Sequence, residues 1–336
     1  MSAETEWTRA TVEGLRDLTP TIREITLRLP MAVACAPGSH LRVGIAVDGR
    51  ADVRSYSVVD HDRSVVRIAV KRQPVSRGGS AYMWSLHVGD TIRVAAPRCD
   101  FPLTHGASHY LLIAGGVGIT PMVAMANTLA TNGASLRLVY AARSADEFAY
   151  RDDLVARLGS RVAFVDASRG QDIDIAGEIA ALPDDAELYM CGPLGMMDAV
   201  RASWAAAGRN PIRLRYETFG SSGQFQAQPF TVRVPRLGLD VPVAADQSML
   251  DALEQAGVEV AYECRRGECG LCAVTVVDVD GTIDHRDVFL SDRQHRAGDR
   301  LCACVSRVAG GSITIDPAWR GDGAFFPTPP AQAASH

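Results

Sequence analysis

The chain has 336 residues, 47% of them hydrophobic and 22% charged, with a formal net charge of −5 at pH 7. That balance suits an ordinary folded protein of two or three domains, and with no basic run it argues against a nucleic-acid partner. Apolar runs reach only about ten residues, too short to span a bilayer, and the first six residues lack the basic and apolar regions of a signal peptide, so a cytoplasmic protein with no membrane attachment is expected.

From Trp7 to about Leu103 short strands alternate apolar and polar residues, among them Ile22 to Leu29, Leu41 to Ile45 and Val65 to Val70. Turns rich in Pro, Gly and Asp separate them, which predicts a small antiparallel barrel over residues 1–104. Two polar stretches stand out. In Arg54-Ser55-Tyr56-Ser57 an aromatic ring lies beside hydroxyls and a guanidinium, a set that can stack on a flat ring system and bond a phosphate. Lys71-Arg72, followed by Arg77-Gly78-Gly79-Ser80, offers cations, backbone N–H groups and a hydroxyl, the parts of an anion cradle. Taken singly, the first is equally a cross-strand surface patch and the second a plain loop.

Tyr110 to Ala114 is a continuous apolar run of strand length. Gly115-Gly116-Val117-Gly118-Ile119-Thr120-Pro121 follows, then Met122 to Ala130 with helical composition. Thr120 reads as the helix cap and Pro121 as the first helical residue. Such a turn lets a pyrophosphate approach backbone N–H groups at the positive helix end. It is not the dinucleotide glycine fingerprint, and a strand–helix turn without a ligand has the same form. Further strands at Leu136 to Tyr140, Val162 to Val165 and Leu188 to Met190 alternate with helical stretches at Asp152 to Leu158 and Met196 to Ala207. That alternation predicts a parallel sheet over residues 105–221 with its ligand at the strands' carboxyl ends, where the glycine turn, Arg143-Ser144 and Cys191-Gly192-Pro193 all fall. No cluster of Arg and Lys follows the second strand, which favours NADH over NADPH; Arg143 and Arg169 keep the second cosubstrate open.

Residues 222–229 are small and polar and read as a linker. A last domain, 230–320, opens with strands at Phe230 to Val234 and Val241 to Val243. A helix from Ser248 to Gly257 follows, with Ser248 as N-cap and Asp251 placed as in a capping box. Residues 321–336 form a Pro/Ala-rich tail. Eight cysteines in a chain of this kind point to metal rather than disulfides. Cys264, Cys269 and Cys272 have C-x4-C-x2-C spacing, and with a remote fourth cysteine this is the pattern of a plant-type [2Fe–2S] site. Gly267 and Gly270 suit a loop that wraps a cluster closely. A structural zinc site more often shows two separated C-x2-C pairs, and core filling explains three close cysteines poorly. Spacing leaves the fourth ligand open between Cys302 and Cys304. Arg265 and Arg266 on this loop are candidates to meet an acidic partner surface.

Three motif sets in this order resemble the phthalate dioxygenase reductase family within the ferredoxin–NADP reductase superfamily. They are Arg54-Ser55-Tyr56-Ser57 with Arg77-Gly78-Gly79-Ser80 and Phe101-Pro102-Leu103; the Gly115 to Pro121 turn with Cys191-Gly192-Pro193; and the cluster loop with Asp284-His285-Arg286-Asp287 and Cys304-Val305-Ser306-Arg307. The resemblance implies a multidomain architecture: an antiparallel β-barrel flavin domain, an α/β parallel-sheet nucleotide domain and an α+β ferredoxin of the β-grasp type. It implies FMN, with Arg54, Ser55, Tyr56 and Ser57 at the isoalloxazine and ribityl chain and Val70, Lys71, Arg72, Arg77, Gly78, Gly79 and Ser80 around the phosphate. For the nucleotide it implies Gly115, Gly116, Gly118, Gly192 and Pro193 at the turn, Thr120 near nicotinamide and flavin, Arg143 and Ser144 at the adenosine and Cys191 at the nicotinamide ring. Phe219 would lie over the flavin. Cys191 as a buried structural thiol and Phe219 as a core aromatic are the competing readings. For the [2Fe–2S] cluster the resemblance selects Cys304 beside Cys264, Cys269 and Cys272. The implied function is an NADH-dependent reductase that feeds electrons singly to the terminal component of a Rieske-type oxygenase or O-demethylase. A stand-alone flavin or cytochrome reductase is the alternative within the same chemistry. A redox sensor is the alternative outside it, disfavoured because a sensor has no need of nucleotide motifs.

Overall fold

The computed structural model describes residues 6–47, 50–73, 78–219, 225 and 227–317. Arg77, linker residues 222–224 and 226, and the 321–336 tail lie outside the described residues. The chain divides into two units, Met1–Gln224 and Phe225–His336.

The first unit opens with β1 (Trp7–Asp17), β2 (Ile22–Arg28), β3 (Ser39–Val47), β4 (Arg50–Asp62), β5 (Val65–Lys71), α1 (Gly79–Trp84), β6 (Thr91–Ala95) and the short β7 (Arg98–Cys99). The strands are antiparallel in the order β4-β5-β2-β1-β6-β3, and pairing of β3 with β4 closes them into a barrel. Strand periodicity explains how the barrel serves two cores. On β5, Val66, Ile68 and Val70 enter the barrel, while Ala69 points outward into a second core.

That second core belongs to β8 (Tyr110–Gly115), α2 (Ile119–Thr131), β9 (Leu136–Ala142), α3 (Arg151–Leu158), β10 (Val162–Asp166), α4 (Ile175–Ala180), β11 (Glu187–Cys191), α5 (Leu194–Ala206) and β12 (Leu214–Glu217). The five strands are parallel in the order β10-β9-β8-β11-β12. The connection reverses direction between β8 and β11. Open parallel sheets receive ligands at the carboxyl ends of the strands flanking such a reversal. One sequence expectation fails here, because Thr120 does not cap α2. A 3-10 turn at Gly116–Gly118 winds the chain early, Gly118 takes the cap position, and Thr120 lies inside the first turn, donating to the Val117 carbonyl at 3.0 Å. Pro121 is third in the helix, still among the residues whose N–H has no partner within it.

The second unit holds β13 (Phe230–Val234), β14 (Leu239–Val243), α6 (Met249–Gln255), β15 (Ala273–Asp284), α7 (Asp292–Ala297), β16 (Arg300–Cys302) and β17 (Arg307–Asp316). Its sheet runs β14-β13-β17-β15-β16, with β13 and β17 parallel and the rest antiparallel, around Val232, Leu250, Leu253, Val274, Leu301 and Ile313. This is the α+β ferredoxin arrangement. Ser248 caps α6 by accepting the Asp251 N–H at 3.0 Å, but the reciprocal half of the expected box is missing, since Arg265 Nη1 takes the Asp251 carboxylate at 2.6 Å. A complete capping box stands instead at α7, between Ser291 and Gln294. Among the described residues no helix is long and apolar enough to cross a membrane.

Asp287 knots this unit together. Its buried carboxylate accepts the Leu290 N–H at 2.9 Å and the Ser306 hydroxyl at 3.2 Å, and lies 3.2 Å from His295 Nε2. Burial alone would raise its pKa, but the contacts with His285 and His295 and the Leu290 N–H outweigh that and hold it well below the usual carboxylate range. A depressed folded pKa adds stability above about pH 4, which is lost as pH falls through the folded value. Asp287→Ala is expected to destabilise the Phe225–His336 unit by about 3 kcal/mol, since it strands buried donors. Urea melts of wild type and variant, followed by far-UV circular dichroism at pH 7 and about pH 3, check this: the gap between them should narrow in acid.

Candidate active site

At the β8–β11 reversal the two nucleotide motifs are packed on each other. A Cβ on Gly118 would overlap the Cys191 carbonyl, one on Gly115 would lie 2.5 Å from Pro193 Cδ, and one on Gly192 would lie 3.0 Å from the Gly115 nitrogen. The glycines are therefore required by contact between two strand-end segments. Gly116 differs: its φ is 55° and a Cβ there would meet nothing within 4 Å, so this residue faces open space. Bare backbone beside open space at a strand–helix junction fits a pyrophosphate. Cys191 is fully buried, in register with Ala114 of β8 and Glu217 of β12. Thr120 is buried as well, while Phe219 is half-buried and packs, like Val117, on the core shared with the barrel. Arg143 and Ser144 sit at the end of β9, and the Ser144 hydroxyl donates to Asp146 at 2.5 Å. Sequence reasoning missed Glu217, a buried acid beside Cys191. Its signal was a lone carboxylate at the end of a short strand.

The flavin candidates lie on β4, where Arg54, Ser55, Tyr56 and Ser57 pair with Val43, Arg42, Leu41 and His40 of β3. Strand geometry puts Arg54 and Tyr56 on one face and the two serines on the other. Tyr56 packs on the barrel core, and burial pushes its phenol up, so it remains a hydroxyl donor. Arg54 pairs with Asp52 at 2.6 Å and lies across Gly79, where a Cβ would come within 2.8 Å of its Nε. Thus the Arg54 stretch and the Gly78-Gly79-Ser80 stretch meet, and a side chain at Gly79 would displace the Arg54 side chain. The site fits a flat ring with an anionic tail. Around it, Ser80 Oγ accepts the Gln73 N–H at 3.2 Å, and Trp84 Nε1 donates to the Val70 carbonyl at 3.1 Å. Arg72 lies over the Trp84 ring at 5.6 Å. Lys71 turns toward the parallel-sheet half, with Nζ 3.6 Å from Glu147.

In the second unit the cysteine sulfurs converge. Gly267 and Gly270 have φ of 78° and 72°, and side chains there would run into Val305 and the Phe289 ring. The loop so formed aims backbone N–H groups at sulfur, Arg266 reaching Cys264 Sγ at 3.4 Å. The Cys304 thiol lies against both Cys264 and Cys272, and the Cys302 thiol against Cys272. Donation from Cys304 pulls the Cys264 thiol down, and donation from Cys302 and Cys304 does the same for Cys272. A compact set of sulfurs, with Cys264 and Cys272 held as thiolates and a backbone N–H aimed inward, fits an iron–sulfur cluster. His285, Asp287 and His295 bring donor atoms within 4.8 Å of one another, but the two rings stack at 4.3 Å with planes 21° apart. Nearly parallel planes share no in-plane point at metal–ligand distance, so this group supports the carboxylate rather than a cation. Arg265 and Arg266 have partners inside the unit. Arg265 bonds Asp251 and Glu254 at 2.6 and 2.7 Å and lies over Tyr262, and Arg266 pairs with Glu268 at 3.0 Å. Their charge is answered within the unit.

A barrel built for a flat anionic ligand, a parallel sheet with a bare nucleotide turn and a ferredoxin with converging thiols define an iron–sulfur flavoprotein oxidoreductase. Three family models match in that order: an oxidoreductase FAD-binding domain over residues 9–102, an oxidoreductase NAD-binding domain over 112–202 and a 2Fe-2S iron-sulfur cluster binding domain over 232–309. Among curated proteins, the chain is 36% identical to the heme-dependent oxidative N-demethylase beta subunit of Ectopseudomonas mendocina (strain ymp), over 91% of this chain and 97% of that one. It is 37% identical to the phenoxybenzoate dioxygenase subunit beta of Ectopseudomonas oleovorans, over 86% and 91%. The solved structure of phthalate dioxygenase reductase, described as modular for electron transfer from pyridine nucleotides to [2Fe-2S], superposes with a TM-score of 0.72 at 30% identity, covering 92% of this chain and 98% of that one. The chain belongs to the phthalate dioxygenase reductase family. It is a reductase that carries electrons from a nicotinamide nucleotide through a flavin to a [2Fe–2S] cluster.

Two substitutions test the geometry. Gly118→Ala should leave the flavin bound but slow its reduction by NADH about 100-fold, because the turn must move off Cys191; stopped-flow bleaching of the flavin band measures it. Cys304→Ala should abolish the cluster's visible absorbance and its reduced-state EPR signal, and Cys302→Ala should retain both.

Proposed function

We propose that the chain is the reductase component of a Rieske-type aromatic oxygenase or O-demethylase system, using NADH and holding FMN. The flavin lies in 1–104, the nucleotide in 105–221 and the cluster in 230–320. Bound there, FMN would supply the exchange between a two-electron donor, NADH, and the one-electron acceptor held by the cysteines. The chain's residues place and shield the reactants. Arg54, Ser55, Tyr56 and Ser57 hold the ring and ribityl chain, and Val70, Lys71, Arg72, Arg77, Gly78, Gly79 and Ser80 surround the phosphate. Gly115, Gly116, Gly118, Gly192 and Pro193 accept the pyrophosphate, and Arg143 and Ser144 the adenosine. Thr120, Cys191 and Phe219 orient the nicotinamide, Cys191 and Thr120 keeping water from beneath it. Cys264, Cys269, Cys272 and Cys304 bind iron. The observation that carries this reading is the meeting of the glycine turn with Cys191-Gly192-Pro193 at the sheet's reversal.

NADH is supported by Asp146 just past β9, because an acid near the end of the second strand suits a ribose hydroxyl and repels a phosphate. FMN is supported by the family resemblance. A cytoplasmic location goes with a cluster whose thiolates stay reduced. A second reading is a heme-containing terminal partner, favoured by the N-demethylase relative.

Chromatography of heat-released flavin should identify FMN, and steady-state reduction of cytochrome c should run about 100-fold faster in kcat/KM with NADH than with NADPH. Reconstitution with Rieske-type and heme-containing oxygenases then assigns the partner by substrate turnover. Released FAD, equal use of both nucleotides, or turnover with the heme partner alone would each overturn the matching part of the proposal.

A further inference from the structure

The segment after β9 runs Arg143 to Tyr150 and leads into α3. It lies in the parallel-sheet half, yet two of its side chains, Glu147 and Tyr150, reach the barrel. Glu147 accepts the Thr21 hydroxyl at 2.6 Å and the Thr19 hydroxyl at 3.5 Å, and lies 3.6 Å from Lys71 Nζ. Three barrel donors from β5 and the approach to β2 thus converge on one carboxylate whose side chain is 13% exposed. The main chain on either side is held from its own half: the Tyr140 hydroxyl donates to the Glu147 carbonyl at 3.4 Å and accepts the Ala149 N–H at 3.2 Å. Three residues on, the Tyr150 hydroxyl donates to the buried Glu24 of β2 at 2.9 Å. Phe148 packs edge-on against Tyr140 and Phe164, with centroids 5.2 and 5.1 Å away. Ring contacts of this kind tolerate sliding, whereas the Glu147 bonds are directional and set the rotation of the turn that carries Arg143 and Ser144.

We propose that Glu147 is a positioning residue for the nucleotide: it fastens the adenosine-side turn to the barrel, so that NADH bound along the sheet edge presents its nicotinamide to the flavin side. Lys71 has three donors, so its ion pair with Glu147 leaves it able to meet a flavin phosphate as well, and one lysine then joins both ligands' supports. The proposal rests on the reading that Arg143 and Ser144 meet the adenosine.

The test compares NADH with reduced nicotinamide mononucleotide, which lacks the adenosine half, in flavin- and cluster-loaded full-length protein. Glu147→Ala should raise the KM for NADH about tenfold with kcat within about twofold, and leave the kinetics with the mononucleotide unchanged. Glu147→Gln still accepts from Thr21 but loses the charge facing Lys71, and Thr21→Val keeps the charge but loses a bond; each should give a smaller rise in the same parameter. Retained flavin and cluster absorbance show that the variants fold. An unchanged NADH KM in Glu147→Ala, or an equal loss with both donors, would overturn the proposal. Unchanged NADH KM in both Arg143→Ala and Ser144→Ala would remove the adenosine reading beneath it.

Discussion

The outer wall of the barrel and the floor of the parallel sheet are one apolar body. Ile22, Val59, Ala69, Phe101 and Leu103 on the barrel side are buried together with Ile119, Met122, Met125 and Ala126 of α2. Phe101 meets Tyr189 of β11 with ring centroids 5.7 Å apart. Phe101-Pro102-Leu103 therefore does more than end the barrel: it carries the chain into the neighbouring core. Removing this much apolar surface from water is the main favourable contribution to joining the two halves. Because close-packed cores resist sliding, it also sets where β4, with the flavin candidates, stands relative to the turn after β8. The polar contacts at its edge, Tyr150 to Glu24 and Thr21 to Glu147, add direction rather than bulk energy.

Two of the three candidate binding regions are made chiefly by leaving side chains out. At the nucleotide turn, Gly115, Gly118 and Gly192 let two strand ends touch, and only Gly116 is left bare toward open space. At the cysteine loop, Gly267 and Gly270 turn the backbone into the left-handed region against Val305 and Phe289. In each case the loss of Cβ atoms exposes N–H groups to an electron-rich ligand, phosphate in one and sulfur in the other. Glycine costs conformational entropy on folding, and these positions accept that cost because no other residue fits.

What was legible in the sequence was whatever chemistry confines to a short stretch. Three cysteines within nine residues, an apolar strand running into a glycine turn, and alternating strands all announce themselves locally. What was hidden depends on partners remote in sequence. Arg265 and Arg266 look like exposed cations until α6 brings Asp251 and Glu254 against the first and the loop folds Glu268 onto the second. Lys71 reads as a phosphate ligand, and Glu147, which shares it, lies in the other half of the unit. The Asp251 capping reading failed for the same reason: a guanidinium is a stronger partner than one more backbone N–H. Thr120 misled more locally, since a 3-10 turn ahead of a helix shifts the start by a residue or two in a way that residue preferences do not register.

Around Cys302 and Cys304, which spacing alone leaves equivalent, a remote brace gives the two thiols different surroundings. Cys302 closes β16, opposite Ala273, and its carbonyl accepts the N–H groups of Val305 and Ser306 at 3.3 and 3.0 Å. That tight turn lifts Cys304 off the strand and toward both Cys264 and Cys272. The turn is held in place by Ser306, whose hydroxyl donates to Asp287 and receives the Arg286 N–H at 3.3 Å. Asp287 in turn lies against Gly267 of the cysteine loop. Asp284-His285-Arg286-Asp287 and Cys304-Val305-Ser306-Arg307 are therefore two sides of one brace.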